Sequence, residues 1–234
     1  MKKLVIGIDI GGSNVRAVLW DGKDVLKEYK ILTPKSDIDF KNKVRALSAT
    51  LGFGRKIDGV GVAAAGIVSG TKIKKCPNIS YLKNFDIRAL GFNCEVKLDN
   101  DARAFLRAEI LKSDFNKKVL GLTIGTGIGR AFSERRDVKK IKQFERPERW
   151  ERKYKDLREL KEDARLAFFL GEHFSRLMTF YKPEVIIVGG GVMVRKNFFK
   201  MLKAELKMRK IKARVAEPRF GEYAGAIGAA MLIS

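Results

Sequence analysis

The chain has 234 residues, 49 of them Lys or Arg and 27 Asp or Glu, giving a formal net charge of +22. Hydrophobic residues at 45% exclude a disordered chain. The two cysteines (Cys76 and Cys94) cannot build a disulfide framework or a four-thiolate zinc site, and a single histidine (His173) excludes most His-rich metal sites. The first apolar run is short and broken by Asp9, unlike a signal peptide, and no stretch of about 18 uncharged apolar residues is present to span a bilayer. A soluble cytoplasmic protein with free thiols is expected, and the charge makes nucleic acid or an anionic ligand the first partner to consider.

In chain order, Val5–Val18 (VIGIDIGGSNVRAV) reads as an apolar strand, a glycine-rich turn and a second strand. Lys41–Leu51 has helical spacing, Gly59–Ala64 reads as a buried strand, Glu95–Leu98 as a short strand and Asp101–Leu111 as a helix. Val119–Phe132 (VLGLTIGTGIGRAF) then repeats the opening device at an offset of 114, with six of fourteen positions identical. Leu157–Tyr181 is one helix or two abutting ones, stopped by Pro183, and Val185–Val188 is a buried strand. Phe198–Met208 and Tyr223–Leu232 close the chain as helices. A weaker echo aligns Val60–Gly66 with Val185–Gly191. Strands and helices in both halves give an α/β class built by duplication. The expected lobes are 1–114 and 115–221, with a boundary near Ser113–Asn116 and the closing helix, 222–234, returning to the first lobe.

Ser133–Arg165 differs in character, being rich in charges of both signs with few apolar residues before Leu157. It reads either as a solvated loop leading into an exposed helix with spaced ion pairs, or as a lid or partner-binding arm.

Four segments carry chemistry. Asp9-Ile-Gly-Gly-Ser-Asn14 puts glycines at a hairpin tip, where they permit positive φ and let backbone N–H groups approach an anion; Ser13 and Asn14 add donors, and Asp9 could hold magnesium through water. Gly125-Thr126-Gly127-Ile128-Gly129 repeats the turn, and two such turns related by duplication suggest a nucleotide pinched between two lobes. Leu98-Asp-Asn-Asp-Ala102 is either a helix N-cap with acidic residues favoured by the dipole, or the source of a carboxylate that accepts a proton from a hydroxyl attacking a phosphate. Gly189-Gly190-Gly191 follows a buried strand and either makes a turn or lies against a flat group such as adenine.

These motifs, in this order, resemble the ROK sugar kinases of the actin, heat-shock-70 and hexokinase superfamily. DIGGSNVRAVLW is similar to the first phosphate motif, with Ser13 where Thr is usual; GVGVAAAGIV and CPNISYL resemble the glycine–proline and Pro-Asn segments. LDNDARAFLRAE resembles the catalytic segment, LGLTIGTGIG the second phosphate motif, PEVIIVGGGV the adenosine motif and GEYAGAIGAAML the closing helix. The resemblance implies a duplicated actin-like (ribonuclease-H-like) two-lobed ATPase fold with the nucleotide in the interdomain cleft. It implies Asp101 as catalytic base, and Gly66, Asn78, Asn100 and Asp101 on the sugar side. Asp9, Gly11, Gly12, Ser13, Asn14, Arg16, Gly125, Thr126, Gly127, Gly129, Gly189, Gly190 and Gly191 would serve ATP, with Mg2+ held by Asp9. A homodimer is compatible with the resemblance.

The departures are equally specific. After the second phosphate motif the family carries a glutamate and a histidine for the sugar, and many members a zinc cluster of one histidine and three cysteines. Here Arg130 follows at once, no Cys or His occurs between Cys94 and His173, and no zinc is expected. Ala64 and Ala65 stand where proline is usual, and His173 reads as structural. The expected function is ATP-dependent phosphoryl transfer to a hydroxyl of a hexose or related sugar. The alternative is a degenerate nucleotide-binding protein of the same fold with a regulatory or scaffold role. No helix-turn-helix precedes residue 4 and no aromatic-interleaved basic platform is present, so specific nucleic-acid binding is not expected. Arg195–Arg214, with nine basic residues and one acidic, reads as a solvated basic face.

Overall fold

The first hairpin sets the plan. β1 (Val5–Ile10) is a run of apolar residues broken by Gly7 and Asp9, and it pairs antiparallel with β2 (Asn14–Trp20). In this computed structural model, residues 3–111, 116–140 and 148–233 are described. β2 pairs on its other side with β3 (Val25–Leu32), whose exposed Glu28 and Lys30 suit a sheet edge. After α1 (Asp37–Gly52), β4 (Gly59–Ala64) and β8 (Glu95–Asn100) extend the sheet in parallel, giving the order β3-β2-β1-β4-β8. β4 is buried along its whole length, as a central parallel strand must be. Between β4 and β8 lies a small antiparallel sheet of β5 (Ile67–Ser69), β6 (Lys72–Lys75) and β7 (Phe85–Asp86). α2 (Asp101–Leu111) follows β8 without a break.

The second sheet repeats the first. β9 (Val119–Ile124) and β10 (Ile128–Glu134) form the hairpin, β11 (Asp137–Lys139) the outer strand, and β12 (Val185–Gly189) and β13 (Arg214–Ala216) the parallel side, in the order β11-β10-β9-β12-β13. Strand directions match pair for pair, and β1 and β2 start 114 residues before β9 and β10. Between β11 and β12 run α3 (Glu151–Glu159) and α4 (Asp163–Tyr181); α5 (Phe198–Met208) packs on α4.

The chain divides into two compact units, Met1–Glu109 with Tyr223–Ser234, and Ile110–Glu222. The core of the first joins Ile6, Ile8, Val60 and Val62 to Phe40 and Phe85, whose rings meet edge to face at 5.7 Å. α6 (Ala224–Ala230), entirely buried, lies on the same sheet with its backbone almost in contact. A Cβ added at Gly61 would stand 1.8 Å from the Ala229 carbonyl oxygen, so only glycine on the strand admits this helix. The core of the second joins Leu120, Leu122, Ile186 and Val188 to Phe174 and Leu202 from the helices.

Several expectations are corrected. α1 begins at Asp37, because Ser36 Oγ accepts the Asp39 N–H at 3.2 Å and buried Phe40 is already in the first turn. β8 runs on to Asn100, since Asp99 is compensated within the fold and need not end the strand. Of the two readings of 157–181 the abutting pair holds, with a break at Lys161 in the left-handed region (φ 56°), and only the start moves, α3 beginning at Glu151. The echo between the halves is shifted by one residue: Val5 pairs with Gly59 and Val119 with Val185, so Val185 corresponds to Gly59, not Val60. Both stretches are apolar and small, which lets a sequence overlay slide. The expected boundary near Ser113–Asn116 falls largely on residues 112–115, outside the described residues. No described helix is long and apolar enough to cross a membrane.

Candidate active site

In the first unit, the carboxyl ends of the parallel strands β1 and β8 carry the polar residues, with the apolar end of β4 between them. Ligands of open α/β sheets bind beyond such ends. Asp9 is the last polar residue of β1 and pairs in register with Arg16 of β2. Burial raises its carboxyl to about 7, with the Asp101 charge adding and Arg16 opposing. α6 leaves room for it: a Cβ at Gly225 would lie 2.6 Å from Asp9 Oδ2.

The turn beyond β1 closes with the Gly11 N–H donating to the Asn14 carbonyl at 3.0 Å. Neither Gly11 nor Gly12 has positive φ, contrary to expectation. Close approach is the physical reason instead, since a Cβ at Gly12 would stand 2.9 Å from the Asn78 Cβ. Asn78 is thereby placed against the first glycine turn. Ser13, exposed at the tip, accepts the Thr33 N–H through its carbonyl at 3.0 Å, and Thr33 Oγ1 donates to the Gly11 carbonyl at 2.6 Å. Thr33, the residue after β3, was not singled out by sequence; nothing in its neighbourhood distinguishes it from an ordinary strand-end threonine.

Beyond β4, Gly66 does take positive φ (98°), and a Cβ there would stand 2.1 Å from the Lys75 carbonyl oxygen. Its own carbonyl accepts Asn100 Nδ2 at 3.0 Å. The other end of that amide caps α2, Oδ1 accepting the N–H groups of Ala102 (3.0 Å) and Arg103 (3.3 Å). Asn100 is therefore the N-cap of α2, and the capping reading and the site reading meet in one residue.

Asp99 and Asp101 flank it and are driven in opposite directions. For Asp99 burial alone would raise the carboxyl, but the guanidinium groups of Arg107 and Arg103 outweigh it and hold it below the usual carboxylate range; the Arg103 pair measures 2.5 Å. For Asp101, in the first turn of α2, burial raises the carboxyl, with the Ala102 N–H opposing and the Asp99 charge adding. Arg103 and Arg107, four and eight residues beyond Asp99, could have been read as an i, i+4 partner series. The first unit thus brings together Asp9, Gly12, Gly66, Asn78, Asn100 and Asp101, and Cys76 lies near enough for the Asp101 charge to act on its buried thiol.

In the second unit the turn Gly125–Gly127 closes with the Gly125 N–H donating to Gly127 O at 2.9 Å, and Thr126 is exposed. Gly125 lies beside the glycine run after β12: a Cβ on it would be 3.9 Å from Gly191 N, and the Val192 N–H donates to Ile124 O at 2.9 Å. Gly189 is still in β12, paired with Thr123, and Gly129 lies opposite Thr123 in β10. Gly190 has φ 101° and would push a Cβ to 2.5 Å from Ile124 O, so its glycine serves backbone packing; Gly191 faces open space.

The charged segment is not merely solvated. Arg130 and Glu151 form a buried ion pair, Tyr154 is fully buried and donates to Gly125 O at 2.5 Å, and Arg158 Nη1 donates to the same oxygen at 3.0 Å. The signal available was Trp150, Tyr154 and Leu157, a helically spaced apolar stripe inside a run of charges. His173 stacks on Trp150 at 4.6 Å, and burial lowers its pKa. Residues 141–147, in the same segment, lie outside the described residues. Among the described residues no group of three or more His, Cys, Asp or Glu is arranged to hold a metal.

A search of curated proteins finds no match. The structure is similar to a ROK family glucokinase from Streptomyces griseus solved with glucose and AMPPNP (19% identity, 98% of each chain, TM-score 0.82). It is also similar to an inorganic polyphosphate/ATP-glucomannokinase from Arthrobacter sp. strain KM (25% identity, 99% of this chain and 98% of that one, TM-score 0.79). A ROK family transcriptional regulator, a homologue of the E. coli MLC protein, is matched over 100% of this chain and 78% of its own (16% identity, TM-score 0.75). These likenesses establish the actin-like α/β fold. The model of the ROK family matches residues 5–135 and 154–234 and leaves 136–153 unmatched. Both glycine hairpins, the Asp101 segment and the closing helix lie within that match, and the chain is a member of the ROK family.

Proposed function

We propose that this chain is an ATP-dependent sugar kinase that phosphorylates a hydroxyl of a hexose or a related sugar in the cytoplasm. The observation that carries the reading is the Asp99–Asn100–Asp101 arrangement. Two neighbouring carboxyls are pushed apart in proton affinity, one held ionised by two arginines and one raised by burial at the helix start. Pairs so separated mark acid–base assignments. Asp101, whose carboxyl burial raises above the usual carboxylate range, is the group suited to accept a proton; Asp99 is structural.

Asp101 takes the hydroxyl proton as that oxygen attacks the γ-phosphorus; the bond to the leaving ADP oxygen breaks, and the proton stays on Asp101 until product departs. Gly66, Asn78 and Asn100 shape the sugar side, with Asn100 fixing where α2, and so Asp101, begins. Each unit offers a glycine turn to phosphate. Arg16 with Ser13 and Asn14 stand at the first, Thr126 with Gly127 and Gly129 at the second, and Gly189–Gly191 beside it. A hard cation suits Asp9, whose buried carboxylate lacks compensation beyond Arg16. With no cluster of three acidic ligands among the described residues, Mg2+ would be held by Asp9 through water and by phosphate oxygens, and it would neutralise phosphate charge.

The test is a coupled assay of ADP release over a panel of hexoses, N-acetylhexosamines and related sugars. Sugar-dependent ADP release supports the reading; ATP binding with no acceptor used defeats it. That second outcome favours the other reading, a nucleotide-binding regulator, for which the likeness to a ROK family transcriptional regulator speaks.

A further inference from the structure

The duplication makes Gly11 and Gly125 equivalent, and both carbonyls are held by donors from outside their hairpins. Thr33 Oγ1 holds Gly11 O at 2.6 Å; Tyr154 Oη and Arg158 Nη1 hold Gly125 O at 2.5 and 3.0 Å. The donors come from unrelated places, the end of β3 in one unit and α3 in the other, yet they reach the same atom of the repeat.

A trans peptide fixes why that atom matters. The carbonyl of Gly125 and the N–H of Thr126 share one plane and point in opposite directions. Drawing the oxygen towards α3 aims the Thr126 N–H away from it, and it keeps a partial negative charge from swinging round to face an anion. Arg158 adds a guanidinium whose side chain is only 20% exposed, so its charge acts at short range. Tyr154 is held neutral, burial raising its phenol to about 12, and it remains a donor at any physiological pH.

α3 itself is secured at both ends. At its start Glu151 pairs with Arg130 of β10 and accepts the Glu148 N–H at 3.1 Å, while Arg130 lies 5.4 Å over the Trp150 ring. At its end Arg195 donates to the Arg158 carbonyl at 3.0 Å and to Asp163 Oδ1 at 2.7 Å. Glu151 lies in the 136–153 stretch that the family model does not match.

We propose that α3 is a brace for the second phosphate turn, with Tyr154 and Arg158 as positioning residues that set the Gly125–Thr126 peptide to donate to a nucleotide phosphate. The proposal rests on the nucleotide-binding part of the function proposed above.

The test uses the full chain with Tyr154→Phe, Arg158→Gln and the double substitution. Equilibrium binding of adenosine, ADP and a non-hydrolysable ATP analogue is measured beside amide hydrogen exchange of residues 125–127 in the free protein. The double variant should bind the ATP analogue about tenfold more weakly while adenosine changes by less than about twofold, the loss expected when a charge-assisted contact is misaligned. Thr126 exchange should quicken, and Arg158→Lys, which keeps the charge, should recover part of the loss. Unchanged ATP-analogue affinity in folded variants overturns the brace, as does an equal loss for adenosine, which marks a merely structural helix. Should Arg158→Gln fail to fold, Tyr154→Phe decides alone, because it removes one oxygen and leaves the buried ring. A wild-type chain that binds no nucleotide overturns the underlying functional reading as well, so the two failures are distinguishable.

Discussion

Asn100 Nδ2 donates to the Gly66 carbonyl at 3.0 Å, so the residue that caps α2 also ties the end of β8 to the turn leaving β4. The start of the Asp101 helix and Gly66 are therefore one mechanical unit. Asn100→Ala removes the cap, worth about 1 kcal/mol, and leaves the Gly66 carbonyl without its partner, costing about 1–3 kcal/mol more. Denaturant unfolding should show the chain destabilised by about 2–4 kcal/mol. Asn100→Ser keeps a capping oxygen and loses the donor to Gly66 without adding charge between Asp99 and Asp101, so it should recover the cap's share; if both variants lose equally, the tether to Gly66 carries the whole effect.

Asp101→Asn separates chemistry from binding. The amide keeps the size of the side chain and cannot accept the hydroxyl proton. Sugar-dependent turnover should fall by about 10²–10⁴-fold, the range for removing a general base, while ATP affinity stays within about threefold. Asp99→Asn should behave differently: it removes the carboxylate that Arg103 and Arg107 both contact inside the fold, and its main effect should be on stability. Wild-type-like turnover in Asp101→Asn would leave Asp101 as an acidic first-turn residue favoured by the α2 dipole and no more.

Asp9 gives a pH dependence with a definite sign. Its folded carboxyl is raised to about 7 from 3.8, so between those values the folded state binds more protons than the unfolded one. Stability from this group therefore falls as pH rises through that window, by at most about 1.4 kcal/mol per pH unit, and is level above it. In the ligand-free protein, Asp9→Asn should match wild type near pH 4 and melt at a higher temperature near pH 8. A melting temperature that is lower at both pH values would mean that the carboxylate is compensated in the fold.

The parts of this fold that were legible in sequence are those where burial imposes a pattern. β4, α2 and α5 stand where periodicity put them, and both hairpins are announced by glycines that punctuate apolar strands. Edge and minor strands such as β3, β6 and β11 were silent because exposed side chains obey no alternation. The glycine turns were located correctly but for another physical reason: contact with Asn78, not handedness, excludes a side chain at Gly12. At the site, motif residues such as Asp101 could be named. Partners that act through hydrogen bonds to backbone, such as Thr33 on Gly11 and Tyr154 on Gly125, have no local signature, since the atom they grip belongs to every residue. The basic excess from Arg195 to Arg214 is also partly structural, because Arg195 and Arg209 are spent on Asp163 and Glu205.

The Arg130–Glu151 pair allows the most discriminating stability experiment. Arg130 is 2% exposed; burial lowers it to about 10, against the raising charge of Glu148, so it stays ionised at neutral pH and needs its partner. Its Nε finds none in the described structure. Glu151→Leu leaves a buried cation and should cost about 3–5 kcal/mol, with Arg130→Met similar from the other side. The double substitution Arg130→Met, Glu151→Leu removes both charges and keeps apolar volume beside Trp150, so it should regain most of the loss. A double-mutant cycle by chemical denaturation measures this directly, and strongly sub-additive losses are expected. Additive losses would mean that the two residues act independently, and that α3 is held by Tyr154 and Arg195 without them.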